Sequence, residues 1–349
     1  MLETIPGRSE RRARGKERRR GLLILLIVVI LLGGAVAGIG AFYAWATGAS
    51  GPQTPVTLVI PHGATGAQTG DLLKQKGVIR SAFVFRILVR LRHLNGGFQA
   101  GQYTLTTNMT ISAVLDALKK GPTIEATRVG FPEGLTVAKI AQIVHAKLGI
   151  GVRAFTSAAT SGKYALPPYL PAGTKSLEGF LFPNTYDFLK NATAADVINR
   201  LLQQFRVTAQ PLPWANAQTL HVTDYQAVVI ASMIEREARF DADRPLIAAV
   251  IYNRLRKGMA LQIDATIQYA LGRNRAITEQ DKMIHSPYNT YLHVGLPPGP
   301  IACPGLKSLV AALDPAHVAY LYYVADSSGH NHYATTYQEF LQLKAKYVG

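Results

Sequence analysis

Cysteine is nearly absent. Cys303 stands alone among 349 residues, so neither an intramolecular disulfide nor a cysteine-rich metal site can form. A chain of this length can bury a core large enough to fold without such staples. Acidic side chains are also scarce, 21 Asp and Glu against 37 Lys and Arg, for a formal net charge of +16. Part of the excess is local, since eight Arg and Lys face three Glu in the first 20 residues. The rest is spread thinly, which suits an anionic surface or polymer in general. Nucleic acid is not the expected partner, because no zinc-finger, aromatic RNP-type or basic-zipper pattern is present.

Charge of either sign is missing altogether from Gly21 to Gln53. Within that stretch, Leu22–Ala46 is 25 apolar or small residues, about 37 Å of helix at ~1.5 Å per residue. A bilayer core needs ~20 such residues, so the segment spans with some tilt. Tyr43 and Trp45 lie at its far end, where amphipathic rings favour the interface. The preceding arginine cluster places the N-terminus in the cytoplasm and the rest of the chain outside. A cleaved signal peptide is the alternative, and Ala44-Trp45-Ala46 resembles a cleavage site. Its apolar core would be only ~7–15 residues, so a retained anchor is expected. The organisation expected is a basic cytoplasmic tail (1–20), a transmembrane helix (21–46), a linker (47–55), a small α/β subdomain (56–125) and a helix-rich domain (126–349).

The small subdomain shows a strand-turn-helix rhythm. Val56–Ile60 leads to a helix ending near Gly77, Tyr103–Leu105 to one over Thr110–Lys120, and Ile124–Gly130 to one from Thr136 to Gly149. Thr before and Gly after are the usual start and stop signals. Such units resemble the LysM class of glycan-binding module, with a plain structural subdomain as the alternative. From Ser176 onward, helices are separated by polar, aromatic and proline-rich loops at Leu177–Tyr186, Ser286–Tyr291 and Gly295–Pro300. Tyr320–Ala325 reads as a buried strand and Thr336–Lys346 as a closing helix. The class is α+β.

One helix carries an unusual carboxyl. Thr223 and Gln226 form a capping box, so a helix starts near Asp224 and continues through Arg239. At ~100° per residue, Ser232, Glu235, Arg236 and Arg239 share a polar face, whereas Glu237 falls inside the apolar arc with Ile230, Met233 and Ile234. A carboxyl on an apolar stripe is desolvated, which raises its pKa. An acid protonated near neutral pH is what glycosidic oxygen needs. Glu237 is therefore the candidate acid. Glu235, beside Arg239 on the polar face, is expected to orient or support.

Four segments together, Leu177–Tyr186, Ala231–Ala238, Val250–Gly272 and Ser286–Gly305, resemble the membrane-bound endolytic murein transglycosylases, the MltG or YceG-like family. The resemblance covers about Val56 to the C-terminus. It implies one catalytic glutamate at Glu237, a LysM-like subdomain before the catalytic domain, and internal cutting of nascent glycan strands with 1,6-anhydro-N-acetylmuramic acid ends. It further implies a cytoplasmic-membrane protein working near the glycan polymerases. Ala265 and Asn184 depart from the proline and aspartate usual there.

A lytic transglycosylase manages with one carboxylate, because its nucleophile is the substrate's own C6 hydroxyl. Candidate sugar contacts are Gln262, Asp264, Tyr288, Asn289, Tyr291 and Glu178. For Asp264 the alternative is a helix N-cap before Ala265–Leu271, and for the tyrosines ordinary packing. No cofactor or metal is expected; His330 and His332 lack a carboxylate-rich companion motif. Two rival functions remain: a non-catalytic wall-binding scaffold, and a muramidase-type hydrolase that pairs Glu237 with Asp264 or Glu178.

Overall fold

A computed structural model describes residues 8–49, 51–94, 98–164 and 174–348. The chain divides into two compact units, residues 1–126 and 127–349.

The first unit opens with helix α1, Arg8–Thr47. Its stretch Leu25–Thr47 is, among the described residues, the one helix long and apolar enough to cross a membrane. Strand β1 (Pro55–Ile60), helices α2 (Gly66–Gln75) and α3 (Ala82–Leu91), strand β2 (Gly101–Thr106), helix α4 (Ile111–Lys120) and the start of β3 (Ile124–Phe131) follow. β1 and β2 pair antiparallel from Pro55↔Thr106 to Ile60↔Gly101. β2 then takes Ile124 and Glu125 on its other side. The three strands and two of the helices are those the sequence indicates. Helix α3 is additional, started by Ser81, whose hydroxyl accepts the Val84 N–H. Leu58, Ile60, Leu73, Phe85, Tyr103 and Leu115 centre this unit's own core.

The second unit is mostly helical. It holds α5 (Val137–Leu148), α6 (Val152–Ala159), β4 (Asn184–Leu189), α7 (Ala194–Ala209), α8 (Ala215–Thr219), α9 (Asp224–Glu237), α10 (Arg244–Arg256), α11 (Asp264–Leu271), α12 (Leu306–Leu313), β5 (Tyr322–Ala325), β6 (Asn331–Ala334) and α13 (Tyr337–Tyr347). β5 and β6 form an antiparallel hairpin, Tyr322↔Ala334 to Ala325↔Asn331. Helix α9 is the axis of the unit, with every side chain from Ala227 to Ile234 buried and α10, α11 and α12 packed against it. Burial of that kind, not intrinsic propensity, supplies most of a helix's stability.

Three local expectations change. Asn184–Tyr186, read as loop, begins strand β4. Strand β5 starts two residues later than Tyr320 and is half-buried to exposed, with Tyr323 packed against the core and Tyr322 stacked on Phe340 of α13. Helix α9 ends at Glu237, where Ala238 turns to an extended conformation, so Arg239 lies beyond it. The loop before β4 does contain a true turn constraint. Gly179 has φ +87°, and a Cβ there would stand 2.6 Å from Pro300, a position only glycine fills.

Candidate active site

The capping box that begins α9 is present in full: the Thr223 hydroxyl accepts the Gln226 N–H at 3.2 Å and the Gln226 side chain accepts the Thr223 N–H at 2.9 Å. Fourteen residues on, the helix stops at Glu237, which is half-buried. Its Oε2 accepts the Tyr323 hydroxyl, which donates at 2.9 Å from strand β5. The start of α11 lies opposite, with the Ala265 N–H directed at the carboxyl and the Asp264 charge nearby. Burial pushes the Glu237 pKa up, and Asp264 adds to the rise; Tyr323, Ala265 and Arg236 oppose it, and burial wins. Desolvation penalises the anion more than one hydroxyl and one amide repay.

Glu235 occupies a different setting from the one expected. Its side chain is only 6% exposed and its ion-pair partner is Arg244, at 3.2 Å, not Arg239. Its Oε2 accepts the Gly305 N–H at 2.9 Å and the Ser308 hydroxyl at 2.8 Å. Those groups begin α12, so Glu235 ties α9 to both α10 and α12. Arg239 is exposed and lies over the Phe240 ring. The wheel misassigned this face because α10 and α12 cover it; even Ser232 is fully buried, accepting the Ile301 N–H at 3.0 Å.

The remaining candidates separate into those near Glu237 and those under it. Asp264 is exposed and is the first helical residue of α11; the N-cap position belongs to Ile263, with no side-chain cap bond, so the N-cap alternative is set aside. The Asp264 carboxylate instead accepts the Tyr291 hydroxyl. Tyr291 is half-buried, and the charges of Asp264 and Glu237 add to the burial that raises its pKa. Gln262 is exposed with φ +53°, a left-handed backbone that a non-glycine residue keeps only when its surroundings impose it. Here they do: its N–H donates to the Thr290 carbonyl at 3.0 Å, and the next N–H donates to the Thr290 hydroxyl at 3.0 Å.

Asn289 is fully buried, and its amide is occupied by the chain. It donates to the carbonyls of Lys282 and Ile284, both at 2.9 Å, and accepts the Tyr291 N–H at 2.9 Å. It shapes the Tyr291 loop instead of offering an amide to solvent. Tyr288 packs its ring 4.9 Å from Tyr269. The Tyr269 hydroxyl donates to Glu178 at 3.3 Å, and both oxygens of Glu178 receive the Val137 N–H at the start of α5. Glu178 is buried and its pKa is pushed up to about 7 by burial, against those hydrogen bonds. It fastens the loop it begins to the start of α5. His330 and His332 are held by the β5–β6 turn, through Ser328 and Asp326, and among the described residues no cluster of His, Cys, Asp and Glu suits a metal ion.

Two residues that sequence reading passed over complete the site. Tyr323 carries the hydroxyl on Glu237; it lay in a run read as core, although a buried tyrosine needs a partner for its O–H. Arg254, 9% exposed, donates to the carbonyls of Leu261 and Leu321, each at 2.7 Å. It thus joins the segment leading to Asp264 to the one leading to Tyr323. Burial lowers its pKa. No signal in the sequence near either residue reveals the partners, Glu237 for Tyr323 and Leu321 for Arg254, which lie 86 and 67 positions away.

Comparison with known proteins agrees with this architecture. The model of the YceG-like family matches residues 58–346. A Bacillus subtilis (strain 168) protein named endolytic murein transglycosylase is 33% identical over 310 residues, covering 85% of this chain and 86% of that one. A Streptococcus pneumoniae protein of the same name is 30% identical over 84% of this chain, which spans 58% of that longer relative. The crystal structure of a YceG-like protein from Listeria monocytogenes superposes with a TM-score of 0.57 at 31% identity, covering 84% of this chain and all of that one.

Proposed function

Because the chain belongs to the YceG-like family, we propose that it is an endolytic murein lytic transglycosylase. It cuts MurNAc–GlcNAc bonds within nascent peptidoglycan strands and leaves 1,6-anhydro-MurNAc ends, which terminates strand elongation. Helix α1 holds it in the cytoplasmic membrane as a single-pass protein, N-terminus inside and catalytic unit outside, beside the glycan polymerases. The observation that carries this reading is Glu237: a carboxyl with a raised pKa at a helix end, hydrogen-bonded on one oxygen by Tyr323.

The chemistry follows from that geometry. Tyr323 donates to Oε2, so the acidic proton sits on Oε1. Glu237 gives this proton to the glycosidic oxygen while the bond to muramic acid C1 breaks and oxocarbenium character develops there. The resulting carboxylate, steadied by Tyr323 and the Ala265 N–H, then takes the proton of the same sugar's C6 hydroxyl. That oxygen attacks C1 and closes the anhydro ring. The nucleophile is intramolecular, so proximity supplies much of the rate and no water enters. Exposed Gln262, Asp264 and half-buried Tyr291 are the side chains placed to meet sugar hydroxyls.

One observation favours a second reading. The Asp264 carboxylate is close enough for its charge to raise the Glu237 pKa, and a second carboxylate is what a hydrolase uses to direct water. Mass spectrometry of products from uncross-linked strands decides between the two. Anhydro ends from the wild type, still formed by Asp264→Asn at a reduced rate, support the transglycosylase. Reducing ends that vanish in Asp264→Asn support a muramidase.

A further inference from the structure

We infer that the cavity at the N-terminal end of α9 is a subsite for the carboxylate-ended peptide stem carried by muramic acid, an inference that rests on the reading of Glu237 above. Two cavities, of about 680 and 600 Å3, adjoin there and share Leu220, His221, Tyr252 and Arg256 as lining residues. The cation on these walls is Arg256, accompanied by the imidazoles of His221 and, in the second cavity, His317; no aspartate or glutamate is among the described lining residues. Asp224, the first residue of α9, lies close by in sequence but lines neither. Arg256 is exposed at the end of α10 and donates to the Asn253 side chain, a neutral acceptor. Val222, Leu255, Leu296, Pro297 and Pro298 make the first cavity's walls largely apolar. Apolar walls with one guanidinium at the divide suit a short peptide ending in a carboxylate.

Continuity with the acid supports this occupant. The loop Ser286–Pro300 holds Tyr291, bonded to Asp264 and within the field of Glu237. Farther along, its Gly295–Pro298 segment walls the cavity. Between the two in sequence, Leu292 and Val294 are 45% and 64% exposed, apolar side chains open to a passing peptide. The spans match as well. From Glu237 back to Val229 and Thr223, both on the cavity wall, α9 measures about 12 and 21 Å at ~1.5 Å per residue. An extended stem of about five residues reaches ~17 Å. A muramic acid poised at Glu237 therefore delivers the end of its own stem to the cavity, and strands with intact stems are preferred over stripped ones.

The test titrates a synthetic stem pentapeptide, and its C-terminal amide, into the full chain in detergent with Glu237→Gln in place. Saturable binding is expected, weakened about tenfold or more by amidation and by Arg256→Gln, as for loss of a hydrogen bond to a charged group. Equal binding of the amide, undiminished binding by Arg256→Gln, or no saturable binding overturns the inference. So does Arg256-dependent binding of phosphatidylglycerol vesicles without binding of the peptide. Cleavage gives a second readout: the kcat/KM ratio for stem-bearing over amidase-stripped strands falls about tenfold in Arg256→Gln, through KM. Peptide binding without cleavage by the wild type sinks the transglycosylase reading and leaves the subsite standing.

Discussion

Glu235 and Glu237 sit two residues apart on one helix and do opposite things with the same functional group. Glu235 faces α10 and α12, where a guanidinium, an N–H and a hydroxyl all meet its carboxylate. Glu237 faces β5 and α11, where a hydroxyl and an amide favour its anion, and burial together with the like charge of Asp264 outweighs them. The difference lies in the partners: Glu235 has a guanidinium at 3.2 Å, whereas the charge of Arg236 only partly offsets the burial of Glu237. Glu235 is the structural one, fastened to α10 and α12.

Breaking the paired carboxylate gives the largest expected change in stability. Glu235→Gln leaves Arg244 buried without that anion and costs about 3 kcal/mol, as removal of one partner of a buried pair does. Denaturant titration checks it, and a loss below about 1 kcal/mol would show that Asp241, the other partner of Arg244, carries the pairing alone.

A third carboxyl sharpens the comparison, because Glu178 is buried with hydrogen bonds but no cation. Its folded pKa, about 7, lies above the ordinary 4.5. Between those values the folded chain keeps a proton that the unfolded chain has lost, so stability is fullest below about pH 4.5 and declines until about pH 7. The decline amounts to about 3 kcal/mol and should be missing from Glu178→Gln when melting is followed across that range.

Removing the hydroxyl partner has a smaller, catalytic effect. Tyr323→Phe deletes a bond that favours the Glu237 anion, so the Glu237 pKa rises further. The alkaline limb of the pH–rate profile then moves to higher pH, while kcat falls about tenfold because the carboxylate formed after proton transfer is less stabilised. A limb that moves to lower pH would contradict the assignment. The smallest effect belongs to Arg239→Ala, within about 0.5 kcal/mol, since Arg239 is exposed and is not the partner of Glu235.

How far these features were legible in the sequence follows from range. The capping box at Thr223, the apolar stripe around Glu237 and the strand-helix order of the first unit are local patterns, and they appear where the residues indicate. The family resemblance, carried by four segments, agrees with the matched family model over residues 58–346. Contacts between distant segments were not legible: Tyr323 meets Glu237 across 86 positions, and Arg244 meets Glu235 after a bend that no glycine marks. The helical wheel failed on the Ser232–Glu235 face for a physical reason. It assumes one solvent side, and α9 is covered on nearly all sides. Asn289 looked like a ligand amide because its loop is polar, yet the backbone carbonyls of Lys282 and Ile284 claim it first.

The comparison of the two glutamates is tested most directly by single-turnover cleavage of uncross-linked glycan strands, with Glu237→Gln beside Glu235→Gln, each normalised to its folded fraction. The account predicts that Glu237→Gln stays folded and loses at least about 100-fold in rate, the lower end for an acid–base residue. Glu235→Gln should melt early yet cut at a rate within about tenfold of wild type per folded molecule. A folded Glu235→Gln that is inactive beside an active Glu237→Gln would contradict the account and move the acid to the other carboxyl.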